Sequence, residues 1–464
     1  MNVTAVVSLR GLAAESVYGL GSAFYYLFAA MVFLIPTALV AAELAAMFSD
    51  KQGGVFRWIG EAFGAKMGFL AIWLQWIQST IWYPTVLTFG AVSIAFIGMN
   101  QQADMALASN KLFTLVVVLA IYWTATFISL KGLDWVGKIS KWGGIIGTII
   151  PAGLLIVLGV IYLVTGGHNN MDMSAGFFPD LKKFDNLVLA SSIFLFYAGM
   201  EMMGIHVMDV NNPKRNYPKA IIIGSLITVA IFILGTFSLG FIIPAKEVSL
   251  TQSLLIGFDR YFDYLHMSWA SPLIAIALMF GVLAGVLTWV AGPSKGIFTV
   301  GKAGYLPPFF QKSNKNGVQR NILLVQGGIV TLLSLLFVVM PSVQSFYQIL
   351  SQMTTSLYLI MYMMLFAAAI VLRYRMRDSD RPFRLGGNFT MWIIAGLGFC
   401  GSLLAFILSF IPPAQISTGD PKTWVTILIV GCIIVVVVPF IIYAMRKPSW
   451  KSSGAEFAPF HWEK

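Results

Sequence analysis

Apolar residues run through this chain in long blocks, broken by short polar stretches. A helix that crosses a bilayer needs about 20 mostly apolar residues. Eleven segments meet that requirement: 20–48, 68–99, 112–130, 136–165, 187–208, 217–243, 271–298, 321–340, 346–374, 390–412 and 422–445. Ahead of them lies a shorter apolar stretch, Asn2 to Tyr18, interrupted by Ser8, Arg10, Gly11 and Glu15. The pattern predicts an all-α integral membrane protein of about twelve spans, the first incomplete.

The loops between these segments alternate in charge. If residues 2–18 count as a partial span, 23 of the 30 Lys and Arg fall on one side and 6 on the other, with Arg10 inside a span. Basic residues concentrate in cytoplasmic loops. The asymmetry therefore predicts both chain ends in the cytoplasm and a multi-pass protein of the cell (inner) membrane. Adding or removing one internal span would scramble it.

Composition agrees with this reading. The chain is 58% hydrophobic and 11% charged, against about 25% charged in an ordinary soluble domain. A net charge of +11 would raise nucleic acid as a partner for a soluble protein. Here the positive-inside bias accounts for it, and no nucleic-acid partner is expected. Cys400 and Cys432 both sit in apolar runs, without the spacing of a zinc site or a disulfide framework. No phosphate loop, metal motif or nucleophile elbow is present, so neither catalysis nor a metal or cofactor is expected. The partners expected are small molecules and the lipid bilayer.

Two segments read poorly as continuous helices. One is 2–18, around Ser8, Arg10 and Gly11. The other is 187–208, where Tyr197, Ala198, Gly199, Met200 and Glu201 follow one another. Each puts glycine beside an ionisable residue at membrane depth. Unsatisfied backbone is tolerated there only inside the bundle or beside an aqueous cavity, and intramembrane charges mark function. The two segments are first and sixth in order. Matched breaks opening two halves are the pattern of an inverted-repeat transporter. The alternative reading makes Gly199 and Gly204 close-packing residues between helices. Arg10 suits a substrate carboxylate, or a structural ion pair with Glu15, Glu43 or Glu201. Glu201 and His206 are candidate pH-sensing groups.

The chain also resembles the amino acid–polyamine–organocation superfamily, and within it the bacterial glutamate/GABA antiporters. The residues that carry the resemblance are Ile-Pro-Thr-Ala-Leu-Val-Ala-Ala-Glu at 35–43, Gly-Gly-Val-Phe-Arg-Trp at 53–58, and Tyr-Ala-Gly-Met-Glu at 197–201. Further along are His206, Asn-Asn-Pro-Lys-Arg-Asn-Tyr-Pro at 211–218, Gly-Val-Leu-Ala at 281–284, Trp289, Gly-Pro-Ser-Lys-Gly at 292–296 and Asn-Lys-Asn-Gly-Val at 314–318. The resemblance implies a LeuT-like fold of 5+5 inverted repeats plus two helices: repeat one over about 1–165, repeat two over about 187–374, and the extra helices over about 390–445. It implies alternating-access exchange of glutamate-like and GABA-like amino acids, with a proton-coupled permease for another amino acid or a polyamine as the alternative. It places Tyr197, Gly199 and Glu201 at the substrate site and makes Trp289 a gating aromatic.

The departures from the family are specific. Gly285 stands where the antiporters carry a carboxylate. Ser-Leu-Arg-Gly at 8–11 replaces a tyrosine-rich stretch. Met1 falls inside the first span, where the family has roughly another half-helix before this point, as the length of a span requires. The tail 447–464 is expected to be a short cytoplasmic extension, too short to plug the path as the family's C-terminal segment does. Segment 55–66 reads as a short amphipathic helix at the membrane interface.

Overall fold

The computed structural model describes residues 6–173, 176–178, 192–340, 342–411, 420–453 and 457–463. Within them the regular structure is helical, with no strand. After a 3-10 turn, Leu9–Gly11, the chain forms α1 (Leu12–Ser16) and then the long helix α2 (Gly21–Met47). Next come the short α3 (Val55–Phe63), α4 (Ala65–Ala95), α5 (Lys111–Leu130) and α6 (Leu133–Val164). The second half opens with α7 (Ser192–Tyr197) and a 3-10 segment, Met202–Asp209. It continues with α8 (Pro213–Ile242), α9 (Ser253–Tyr264), α10 (Ser271–Val300), α11 (Arg320–Val339) and α12 (Val343–Arg375). Two outer helices follow, α13 (Asn388–Ser409) and α14 (Pro421–Ala444).

Nine helices among the described residues are long and apolar enough to cross a membrane. They match nine of the eleven predicted segments to within a few residues. A tenth, α4, is long enough but is diluted by Gln75, Gln78, Ser79, Thr80 and Thr85, all buried. Those residues are unwelcome in lipid, and α4 accordingly runs through the middle of the bundle, packed on α3, α5, α10 and α12. The eleventh, 187–208, is broken, and its first residues lie outside those described.

The outermost helix, α14, exposes Ile427, Val430, Ile434 and Ile441, the all-round apolar surface of a lipid-facing helix. Where α6 crosses α10, side chains are absent altogether: a Cβ on Gly281 would lie 2.9 Å from Gly147 Cα. Small residues let helix backbones approach this closely. Both cysteines are free, Cys400 exposed and Cys432 buried.

One charged hub ties the halves together at the end of the bundle that carries the basic loops. Glu43 on α2 accepts from Arg373 Nη2 at 2.6 Å, from Arg381 Nη1 at 3.4 Å and from the Leu385 N–H at 2.8 Å. Two guanidinium partners and a backbone donor satisfy this buried carboxylate, the condition under which burying an ion pair is tolerated.

At the same end the structure differs from one expectation. Helix α3 is not an interfacial helix: from Val55 to Ala62 every residue is buried. The tail is the reason. Its residues 457–463 fold back over α3, whose Arg57 donates to the carbonyls of Ala458 and Pro459 (3.3 Å for the latter). Arg57 also lies over the rings of Phe457 and Phe460, at 4.3 and 4.7 Å. Glu61 accepts from the His461 N–H at 2.9 Å and sits 2.6 Å from His461 Nδ1, while Trp462 Nε1 donates to the Gly60 carbonyl at 3.1 Å. A short tail thus suffices to cover this face, because α3 offers it an ion pair, a carboxylate and a glycine gap in one helical stripe.

Candidate functional site

Both predicted breaks are present. In the first, Ser8 is extended and precedes the turn Leu9–Gly11, and α1 begins at Leu12. The loosened backbone finds partners inside the bundle: the Leu12 carbonyl accepts from Thr236 Oγ1 on α8 at 3.1 Å, and Thr236 also bonds Tyr26 Oη at 3.0 Å. In the second, α7 stops at Tyr197, and Gly199 has φ +112°, a conformation that only glycine adopts without strain. Its N–H donates to Tyr362 Oη on α12 at 2.7 Å. A Cβ here would also lie 2.8 Å from the Trp289 ring. Gly204, by contrast, is a packing residue whose missing side chain makes room for the Trp58 ring.

The breaks face one another across a small central cavity of about 30 Å³, lined by Val6, Ser8, Arg10, Gln78, Trp82, Leu195, Phe196, Ala198, Trp289 and Tyr358. Ser8, Arg10, Ala198 and Trp289 were expected at the site from the sequence. Trp82 and Trp289 close one wall with ring centroids 5.5 Å apart, and Trp289 meets Tyr358 at 6.1 Å. Gly11 lies beside this cavity, against the Phe196 ring. Tyr197 turns the other way, toward α2 and α8, where its hydroxyl donates to the Tyr26 carbonyl at 3.3 Å. Gly285 lines a neighbouring cavity of about 50 Å³ that also contains Ser8 and Trp82.

Glu201 stands one step behind the break. Its carboxylate accepts from Tyr358, from Tyr362 at 2.5 Å and from Gln75 Nε2 at 3.0 Å. These three donors belong to α4 and α12, so one carboxylate links three elements of the core. His206 is part of the following 3-10 segment, with Nδ1 3.5 Å from Lys295 Nζ on α10.

Arg10 is buried, and no carboxylate among the described residues pairs with it. Its Nη1 donates to Thr85 Oγ1 at 3.3 Å, and its guanidinium lies over the rings of Trp82 (5.5 Å) and Tyr347 (5.3 Å). Of the acids considered from sequence, Glu43 is taken by Arg373 and Arg381, Glu201 by tyrosines and glutamine, and Glu15 makes no ion pair with Arg10. The structural ion-pair reading of Arg10 is therefore not what the fold adopts.

A larger cavity of about 300 Å³ opens at the basic end, between α6, α10 and the 316–319 loop. Lys295, Lys302 and Gln319 line it, and Phe457 of the tail forms part of its wall. The described residues contain no cluster of His, Cys, Asp and Glu suited to a metal ion.

Several of these residues are not singled out by reading the segments one at a time. Gln348, Ser351, Thr355, Tyr358 and Tyr362 recur at spacings of three and four along α12, which places them on one helical face. A polar stripe inside an apolar segment is the signal that would have found them.

A long helical bundle with two facing breaks and a small cavity between them is the architecture of a membrane transporter. Comparison with known proteins agrees. The family described as amino acid permease matches residues 1–448, and the chain belongs to it. A Legionella pneumophila protein described as an uncharacterized transporter is 36% identical over 442 residues, covering 95% of this chain and 94% of its own. The glutamate/gamma-aminobutyrate antiporter of Lactococcus lactis subsp. lactis is 33% identical over 430 residues, 91% of this chain and 84% of that one. An Escherichia coli inner membrane transporter is 24% identical over 388 residues, 77% of each chain. The protein is thus a multi-pass membrane transporter of the amino acid permease family.

Proposed function

We propose that this protein is an antiporter that exchanges a glutamate-like for a GABA-like amino acid by alternating access. The observation that carries this reading is Arg10, a buried cation at the wall of the cavity between the two breaks, with no acidic partner among the described residues. A buried charge is costly unless something compensates it, and a substrate carboxylate does so whenever the site is loaded. The 33% identity to the Lactococcus antiporters over 91% of the chain supports the substrate class.

In this reading the substrate lies among Ser8, Arg10, Gly11, Ala198 and Gly199, with Tyr197 holding the end of α7 in place. Trp289 packs on Gly199 and closes the site from the α10 side. Glu201 couples the break to α4 and α12, so that its protonation would loosen three elements at once. His206 faces Lys295, and a second positive charge there would push the two apart. The two halves, about 1–165 and 187–374, act as inverted repeats around this site, with 390–445 outside them. The excess of Lys and Arg at one end supports a cytoplasmic location for that end and for both termini.

Competition binding tests the reading. Purified protein in detergent is offered labelled glutamate against a panel of unlabelled amino acids and polyamines, at pH 5 and pH 7. Displacement by glutamate and GABA ahead of polyamines and large neutral amino acids is expected. Displacement by polyamines alone would contradict it.

A further inference from the structure

Arg10 lies between two cavities. The central one has been described. The second, about 20 Å³, continues on the other side of Arg10, Leu195 and Phe196 toward the first turns of α12, and Leu250 covers it. Its polar lining has unused hydrogen-bonding capacity. Arg10 Nε, Gln348 Nε2, Ser351 Oγ and Gln352 Oε1 are all buried and have no hydrogen-bond partner among the described residues. Native interiors leave few such atoms, and each calls for a reason. Four around one small cavity point to a ligand.

The chemistry of that ligand follows from the donors. A guanidinium N–H, an amide N–H and a hydroxyl belong to side chains that line one cavity beside one fixed positive charge, a set complementary to a carboxylate. Gln352 adds a further N–H if its amide turns over. The rings of Trp82 and Tyr347, at 5.5 and 5.3 Å from the guanidinium, hold Arg10 in place while leaving Nε unused. Size limits the occupant: a cavity of about 20 Å³ has room for one small polar group, not a whole amino acid.

We infer that Arg10, Gln348 and Ser351 form a subsite for the side-chain carboxylate of the substrate, and that this subsite selects acidic amino acids over their neutral isosteres. The inference rests on the antiporter reading above and refines it. The amino-acid head group lies at the backbone breaks, and the distal carboxylate crosses Arg10 into the second cavity.

The test uses the full-length protein in proteoliposomes at pH 7, with glutamate and glutamine compared as exchange substrates. Wild type is expected to favour glutamate by roughly tenfold or more, the size of one charge-assisted hydrogen-bonded contact. Arg10→Gln should bring the ratio close to one, and Gln348→Met should lower it several-fold. In both variants a wild-type monodisperse elution profile in detergent shows that the fold is intact. If Arg10→Gln cannot be purified in folded form, Gln348→Met and Ser351→Ala carry the test. An unchanged ratio in the variants, or an equal loss of both substrates in Gln348→Met, would overturn the subsite while leaving the antiporter reading standing. A wild type that exchanges neither amino acid would overturn both.

Discussion

The hydroxyl of Tyr362 donates to Glu201 at 2.5 Å and accepts the N–H of Gly199 at 2.7 Å. One side chain of α12 therefore satisfies both the exposed backbone of the broken segment and the buried acid behind it. Tyr362→Phe removes both bonds and leaves a buried donor and a buried acceptor unpaired, at a cost of about 1–3 kcal/mol each. A lower melting temperature in detergent and at least a tenfold fall in exchange rate are expected. Thermal unfolding and flux assays on the same preparation check this, and wild-type behaviour in both would count against the role given to Tyr362.

Glu201→Gln is informative for a different reason. Three donors converge on Glu201, an arrangement that suits a group offering only acceptors. An amide puts its own N–H against one of them, so Tyr358, Tyr362 or Gln75 must turn. Exchange by this variant across a pH series should be slower and should lose its dependence on acidity. Full activity with the wild-type pH profile would remove Glu201 from the pH response.

Outside the spans, Asp259 on α9 carries a pH signature. Burial, with the negative charges of Asp263 and Asp104 nearby, pushes its carboxyl up to about 6 from the ordinary 3.8, against the lowering effect of a hydrogen bond from Ser271. The folded state therefore holds this proton more tightly than the unfolded chain. The stabilising contribution is complete below about pH 4 and is lost as pH rises through 6. Asp259→Asn should raise the melting temperature at pH 7–8, by an amount equivalent to roughly 1–2 kcal/mol once partial exposure is discounted. At pH 4 it should change little. Melting curves over pH 4–8 measure the difference, and a variant less stable at pH 8 would contradict the assignment.

The docking of the tail gives a separate prediction. A Cβ at Gly60 would lie 2.6 Å from the Phe460 ring, so Gly60→Val must displace that buried ring. Losing a buried aromatic contact of about 2–3 kcal/mol raises the undocked population more than tenfold. Chymotrypsin, which cuts after Phe457 and Phe460, should release the tail correspondingly faster. Equal release rates would mean that the tail does not depend on this contact.

The sequence made the spans legible because a bilayer imposes a length and a composition on every crossing helix. The breaks were legible for the same reason: glycine beside Arg10 or Glu201 conflicts with a continuous lipid-exposed helix. What escaped was set by contacts far apart in the chain. Nothing near Arg10 in sequence says that Glu43 is already held by Arg373, 330 positions later, or that Tyr347 and Trp82 enclose the guanidinium. The docking of the tail escapes the sequence because its partner, the Arg57–Glu61 stripe of α3, lies far away in the chain. That stripe looked interfacial because its cover lies 400 residues further along.

In the exchange mechanism proposed above, one central site open to each side of the membrane in turn moves one amino acid inward only as it carries another outward. Counterflow in proteoliposomes measures this directly. Vesicles loaded with unlabelled GABA and placed in labelled glutamate should accumulate label transiently, and empty vesicles should not. Equal uptake by loaded and empty vesicles would contradict exchange through such a site.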